Sequence, residues 1–151
     1  MVANEKRPPD YGMIRLFVYG TLKQGHYNNV VLKRSGGKFL GYDKIVLDNA
    51  AFVSLGFCPA CVYPITAAGN DTQAICGEIW YGNQEMIKSC DILEGHPEFF
   101  RRSKQWSTIH ERRCWMYSLE ESWLSEATDF LDKSIWEPKK QEREFWNTHN
   151  D

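Results

Sequence analysis

The chain has 151 residues, 42% of them hydrophobic, with 6 Trp, 7 Tyr and 8 Phe, which excludes a disordered chain and suffices for one domain with a real core. Its net charge of −2 lacks the basic excess of a nucleic-acid binder, and no apolar run reaches the roughly 20 residues needed to cross a bilayer. Five cysteines, an odd number, cannot all pair internally, and the opening MVANEKRPPDYG has no signal-like apolar centre, so the expected setting is reducing and cytoplasmic.

Residues 1–13 are polar and proline-bearing, which predicts a loose lead-in. Ile14 to Tyr19 is apolar without alternation, the pattern of a strand covered on both faces. Asn28 to Arg34 predicts one or two helical turns with Val30, Val31 and Leu32 inward, stopped by Gly36 and Gly37. Phe39–Leu47 and Ala51–Leu55 read as two strands. Pro59–Thr66 is strand-like but interrupted by Pro64, which suits an edge or a strand end. A loop over 67–72 precedes a further strand, Gln73–Tyr81.

The clearest helix follows. Asn83 is the expected N-cap, with Met86, Ile87, Cys90 and Leu93 on one face. Glu94 closes it, Gly95 takes the left-handed position beyond its end, and Pro97 prevents continuation. Ser103–Ile109 and Arg113–Leu119 predict a hairpin. Glu121–Leu131 predicts a second helix, with Trp123, Leu124, Ala127 and Leu131 on its apolar face. The charged tail carries Trp136, Phe145 and Trp146 and is expected to dock on the body. The fold class expected is α+β, with residues 14–151 forming a single domain.

Three stretches carry candidate chemistry. Gly20 and Gly25 bracket four residues after the first strand, but a nucleotide P-loop needs Lys and Ser/Thr directly after its second glycine, where His26 and Tyr27 stand. That reading is excluded. An ordinary turn and a loop that binds an anion or carbonyl through its backbone N–H groups remain open. Cys58 and Cys61 have thiol–disulfide spacing, yet Val62-Tyr63-Pro64 follows them instead of the helix that would activate the first thiol. Buried structural cysteines are expected there, and no set of His and Cys has paired zinc-ligand spacing. Glu94, at the margin of the helix face beside Leu93, meets the negative end of the helix dipole, which raises its pKa toward that of a general acid/base. A solvated glutamate, or a partner for Arg101 or Arg102, is the alternative.

The segments FVYGTLKQGHYNNVVL, GEIWY, LEGHPEFFRRS and CWMYSL occur in the order found in the gamma-glutamylcyclotransferase-like family, and the chain resembles its gamma-glutamylamine cyclotransferase and AIG2-like branch. The resemblance runs from about Leu16 to Leu119. It implies a small mixed β-barrel flanked by helices, and an enzyme that cyclises a γ-glutamyl group to 5-oxoproline and releases the amine with no metal and no cofactor. It further implies Glu94 as the catalytic acid/base, and Tyr19, Gly20, Thr21, Leu22, Tyr117 and Arg102 as residues that bind the small-molecule substrate. Phe100 stands where the family usually has tyrosine, while Arg102 keeps the family arginine. That departure and the unmatched tail leave a second reading, a binding module on the same fold without turnover. No nucleic-acid or membrane partner is expected, and oligomeric state is left open.

Overall fold

A computed structural model describes residues 13–66 and 71–130. The predicted lead-in (Met13 apart), Leu131 and the tail with Trp136, Phe145 and Trp146 lie outside the described residues, as does most of the 67–72 loop.

In chain order the elements are β1 (Ile14–Val18), α1 (Asn29–Arg34), β2 (Lys38–Ser54), β3 (Pro59–Val62), β4 (Asp71–Gly82), α2 (Gln84–Glu94), β5 (Arg101–Ser107), β6 (Arg112–Ser118), a 3₁₀ helix (Glu121–Glu126) and β7 (Asp129–Phe130). One mixed sheet runs β3-β2-β4-β1-β6-β5, with β7 added on β2. The class is α+β, as expected. β1 lies inside the sheet, antiparallel to β4 and parallel to β6. Its missing alternation has the predicted cause. Leu16 and Val18 join one apolar cluster and Phe17 and Tyr19 the other, so both faces of the strand are covered.

The expected barrel is corrected to an open sheet that curls. Among the described residues its margins touch in two places: Val62, at the end of β3, forms one isolated parallel bridge with Leu119, and Thr108, just past β5, donates its N–H to Lys44 O of β2. Tyr63 N–H donates to the Leu119 carbonyl, and Leu119 N–H donates to the Cys61 carbonyl. No ladder forms at either place, so the sheet stays open.

Other departures have local causes. The two strands predicted over 39–55 are one, β2, bent by a register shift between Leu47 and Ala50, where Asn49 takes a left-handed φ of 58°. Before that bulge β2 pairs with β4, and beyond it with β3. In α1 only Leu32 of the three expected residues is fully buried and Val30 stays 38% exposed, because three consecutive residues cannot share one helix face. The helix predicted for Glu121–Leu131 stops as a 3₁₀ turn at Glu126. Thr128 N–H then donates to Ser54 O, and β7 is captured by the free flank of β2. Trp123, Leu124 and Ala127 still pack on the core. The β5–β6 hairpin matches expectation, and no helix among the described residues is long and apolar enough to cross a membrane.

Candidate active site

The site begins with the caps of α2. Asn83 Oδ1 accepts from Glu85 N–H at 3.0 Å, and Gly95 takes a left-handed φ of 68° while its N–H closes on the Ile92 carbonyl. Both caps are as predicted. The inward face is not. At about 100° per residue, Glu94 lies about 20° around the axis from Ile87, whereas Leu93 lies about 120° away. Met86, Ile87 and Cys90 are accordingly buried, and Leu93 is 39% exposed. Glu94 therefore falls on the inward stripe, half-buried as a residue, and the expectation that Leu93 faces inward is corrected.

That placement sets the chemistry of the carboxyl group. Among the described residues no side chain or backbone group hydrogen-bonds the Glu94 carboxylate. Burial alone raises its pKa from 4.5 to about 7, because removal from water disfavours the charged form. One turn earlier, Asp91 experiences the same upward push from burial. It is outweighed there by hydrogen bonds from Arg102 and Tyr117, and the net pKa is lowered. Two carboxylates three residues apart are thus driven in opposite directions, the pattern that separates a titrating group from a fixed anion.

The loop after β1 is a tied structure and not a plain turn. Asn28 N–H donates to Thr21 O at 2.9 Å, and Asn28 Nδ2 donates to Thr21 Oγ1 at 2.8 Å. Asn29, buried at the start of α1, donates from Nδ2 to Leu22 O at 2.8 Å. Glu78 on β4 accepts from Gln24 N–H and from Trp80 Nε1 through one oxygen, Oε1. With the loop fastened at these points, no acceptor among the described residues meets the N–H groups of Gly20, Thr21 and Leu22. Gly20 has a steric reason as well, since a Cβ there would stand 2.9 Å from Pro59 Cγ and 3.1 Å from Cδ. Gly20→Ala is expected to displace Pro59 or the loop and to cost about 1–3 kcal/mol of stability. Denaturant unfolding checks this, and wild-type stability would contradict the tight approach.

Loop and helix meet at one small cleft, about 390 Å³ with the open solvent at its mouth included, lined by Tyr19, Gly20, Thr21, Leu22, Cys58, Pro59, Glu94, Phe100 and Tyr117, with Phe17 and Val18 from β1. Six of the seven residues predicted for the site are therefore together. The seventh, Arg102, is not a lining residue. Its guanidinium makes a bidentate pair with Asp91, Nε to Oδ1 at 2.8 Å and the second nitrogen to Oδ2 at 3.0 Å, and stacks over Trp115 at 4.4 Å. Tyr19 contributes its ring to the wall. Its hydroxyl is used elsewhere, donating to the Tyr117 carbonyl at 2.8 Å and accepting from Cys61 N–H at 3.0 Å. That places the hydroxyl beside the isolated bridge between Val62 and Leu119.

Asp91, which holds Arg102 and the cleft residue Tyr117, is missed by the sequence reading, although its i+4 spacing from Ile87 is a usable signal. Asn28 and Asn29, the anchors of the loop, are missed in the same way. Cys58 and Cys61 are free and buried in different apolar clusters. Burial pushes each thiol up to about 12, with the Glu94 carboxylate a second cause at Cys58. This is the reverse of an activated thiolate, so their expected structural role stands. No group of three or more His, Cys, Asp or Glu gathers as for a metal among the described residues.

Solved structures first give the class. An AIG2-like protein of Mus musculus superposes with a TM-score of 0.61 at 22% identity, covering 86% of this chain and 99% of its own. The fold is thus that of the small AIG2-like α+β proteins. Sequence comparison gives the family. The model described as "Gamma-glutamyl cyclotransferase, AIG2-like" matches residues 16–138, and the chain belongs to this family of enzymes. Two relatives carry the name "Putative gamma-glutamylcyclotransferase". One, from Methanocaldococcus jannaschii, is 32% identical over 123 residues, 78% of this chain and 95% of its own. The other, from Drosophila melanogaster, is 30% identical over 109 residues, 68% of each chain.

Proposed function

We propose that this protein is a cyclotransferase that converts a γ-glutamyl amine or amide into 5-oxoproline and the free amine, with Glu94 as general acid/base and, as the family pattern implies, no cofactor. The observation that carries this reading is the Glu94 carboxylate, without a partner among the described residues and raised to about 7, in the same cleft as Gly20, Thr21 and Leu22.

The substrate supplies both reacting groups. Its α-ammonium gives a proton to Glu94, and the freed nitrogen attacks the γ-carbonyl carbon to form the new C–N bond. The bond to the departing amine then breaks as Glu94 returns the proton to that nitrogen, and the ring nitrogen gives up its second proton through the ionised Glu94, so that the amine leaves as ammonium and the ring as the neutral lactam. Held in attacking geometry, an intramolecular reaction of this kind gains up to about 7–11 kcal/mol. Proton transfer by a positioned carboxyl group adds about 10²–10⁴-fold. The N–H groups of Gly20, Thr21 and Leu22 supply uncharged donors for the substrate carboxylate or the developing oxyanion, and the apolar walls keep Glu94 desolvated.

The pH dependence follows with a definite sign. Glu94 must be ionised to accept the first proton, so kcat/KM falls as pH drops through about 7. A profile that stays flat through neutrality would remove Glu94 from the role. Purified protein assayed for 5-oxoproline with γ-glutamyl-ε-lysine and several γ-glutamyl amino acids tests the reaction itself.

One feature favours a binding module instead: Phe100 brings a buried ring without a hydroxyl to the cleft wall. Stabilisation by 5-oxoproline or glutamate analogues, with no turnover of any γ-glutamyl amide, would establish that reading.

A further inference from the structure

We propose that Asp91 is a positioning residue of the cleft: it accepts the hydrogen bond of the Tyr117 hydroxyl, leaving the phenol oxygen only acceptor capacity toward the substrate's α-ammonium, and with Arg102 it pins the Glu94-bearing turn to β5 and β6. The proposal rests on the cyclotransferase reading for the identity of the ligand, although its test needs no turnover.

The geometry is a three-residue clamp. Tyr117 Oη lies 2.6 Å from Asp91 Oδ1, the same oxygen that receives Arg102 Nε at 2.8 Å, while Oδ2 receives the second guanidinium nitrogen at 3.0 Å. Asp91 belongs to α2, Arg102 to β5 and Tyr117 to β6, so one carboxylate joins three elements. The backbone repeats the connection. His96 N–H donates to Asp91 O at 2.9 Å, and Arg102 N–H donates to His96 Nδ1 at 3.3 Å. Trp115, beneath Arg102 at 4.4 Å and Lys104 at 5.0 Å, keeps the guanidinium in plane with its partner.

The direction of the hydroxyl bond is fixed by charge. An ionised carboxylate has no proton to give, so Tyr117 must be the donor, and a phenol has one proton only. Burial and the Asp91 bond both raise the Tyr117 pKa, so the hydroxyl stays protonated. Of the three clamp residues only Tyr117 lines the cleft. Its remaining lone pair suits a cationic donor, and a substrate that presents an α-ammonium to Glu94 is one. The clamp thus distinguishes ligands that carry that ammonium from ligands that lack it.

L-Glutamate and glutarate differ by this group, and neither can be cyclised with loss of an amine. Isothermal titration of wild type is expected to show L-glutamate binding about tenfold or more tightly, as befits a hydrogen bond to a charged group. Asp91→Ala and Tyr117→Phe should each cut that preference severalfold, the share left being the one that Glu94 supplies, while glutarate affinity changes less than about twofold. A purely structural Asp91 would weaken both ligands alike, which would overturn the proposal. Retention of the full preference in Tyr117→Phe, or a wild type that binds both equally or neither, would overturn it too. Should Asp91→Ala fail to fold, Tyr117→Phe by itself decides between these outcomes. Loss of 5-oxoproline formation with the ligand preference intact would count against the reaction and not against the clamp.

Discussion

Glu94→Gln is expected to abolish 5-oxoproline formation, by at least the roughly 10²–10⁴-fold that positioned proton transfer supplies, while leaving the fold intact. The amide fills nearly the same volume but neither accepts nor returns the proton. The stability of the variant makes the loss interpretable. Burial raises the folded-state pKa of Glu94 from 4.5 to about 7, so the protonated form is the one the fold favours. The contribution is full below about pH 4.5, is lost as pH rises, and is gone above about 7. Glutamine mimics the protonated form at every pH. Thermal unfolding should therefore show the variant at least as stable as wild type above neutrality, with the advantage closing in acid. An inactive variant that is also unfolded would say nothing for catalysis, whereas a folded and fully active one would remove Glu94 from the mechanism.

Tyr19→Phe carries the largest expected loss of stability. The hydroxyl it removes has two buried partners, the Tyr117 carbonyl and Cys61 N–H. Each unmet buried group costs about 1–3 kcal/mol, and neither has a replacement nearby in the single-bridge junction of β3 with the end of β6. The ring itself stays, packed edge-on against Phe52 at 5.7 Å, so the apolar wall of the cleft survives. Equilibrium denaturation should show a drop of about 2–4 kcal/mol, with a smaller effect on turnover than Glu94→Gln at temperatures where the variant is folded. A change below about 0.5 kcal/mol would mean that the junction does not depend on this hydroxyl.

Features set by local rules are legible in the sequence. The unbroken apolar run of β1, the Asn83 and Gly95 caps and the β5–β6 hairpin depend on neighbours within a few residues, and each forms as expected. Features decided by distant contacts are harder to see. β7 exists because β2 offers an unpaired flank at Val53 and Ser54, which nothing in residues 121–131 announces. The barrel expectation fails because closure of a sheet depends on how far its margins run together, and among the described residues these touch at isolated contacts, Val62 with Leu119 and Thr108 with Lys44, without a ladder. Glu94 is legible as a residue, but its expected setting is the edge of the apolar stripe. The apolar character of Leu93 outweighs its angular position in that reading, although helix geometry puts Glu94 in line with Ile87 and Cys90. Arg102 is assigned to the substrate through the family resemblance, whereas its partner Asp91 lies eleven residues earlier on another element. The glycine-bracketed loop is set by Asn28, Asn29 and Glu78, side chains beyond the stretch that suggests a backbone-binding turn.

The proposed chemistry depends on a cleft that joins a desolvated carboxylate to free backbone donors, so that a γ-glutamyl group attacks itself. The most direct test is to incubate purified protein with γ-glutamyl-ε-lysine at neutral pH and quantify both products. The expected result is 5-oxoproline and free lysine in equal amounts, with no glutamate formed. Glutamate in place of 5-oxoproline would show hydrolysis by water, and no product from this or any other γ-glutamyl amide would contradict the cyclotransferase reading altogether.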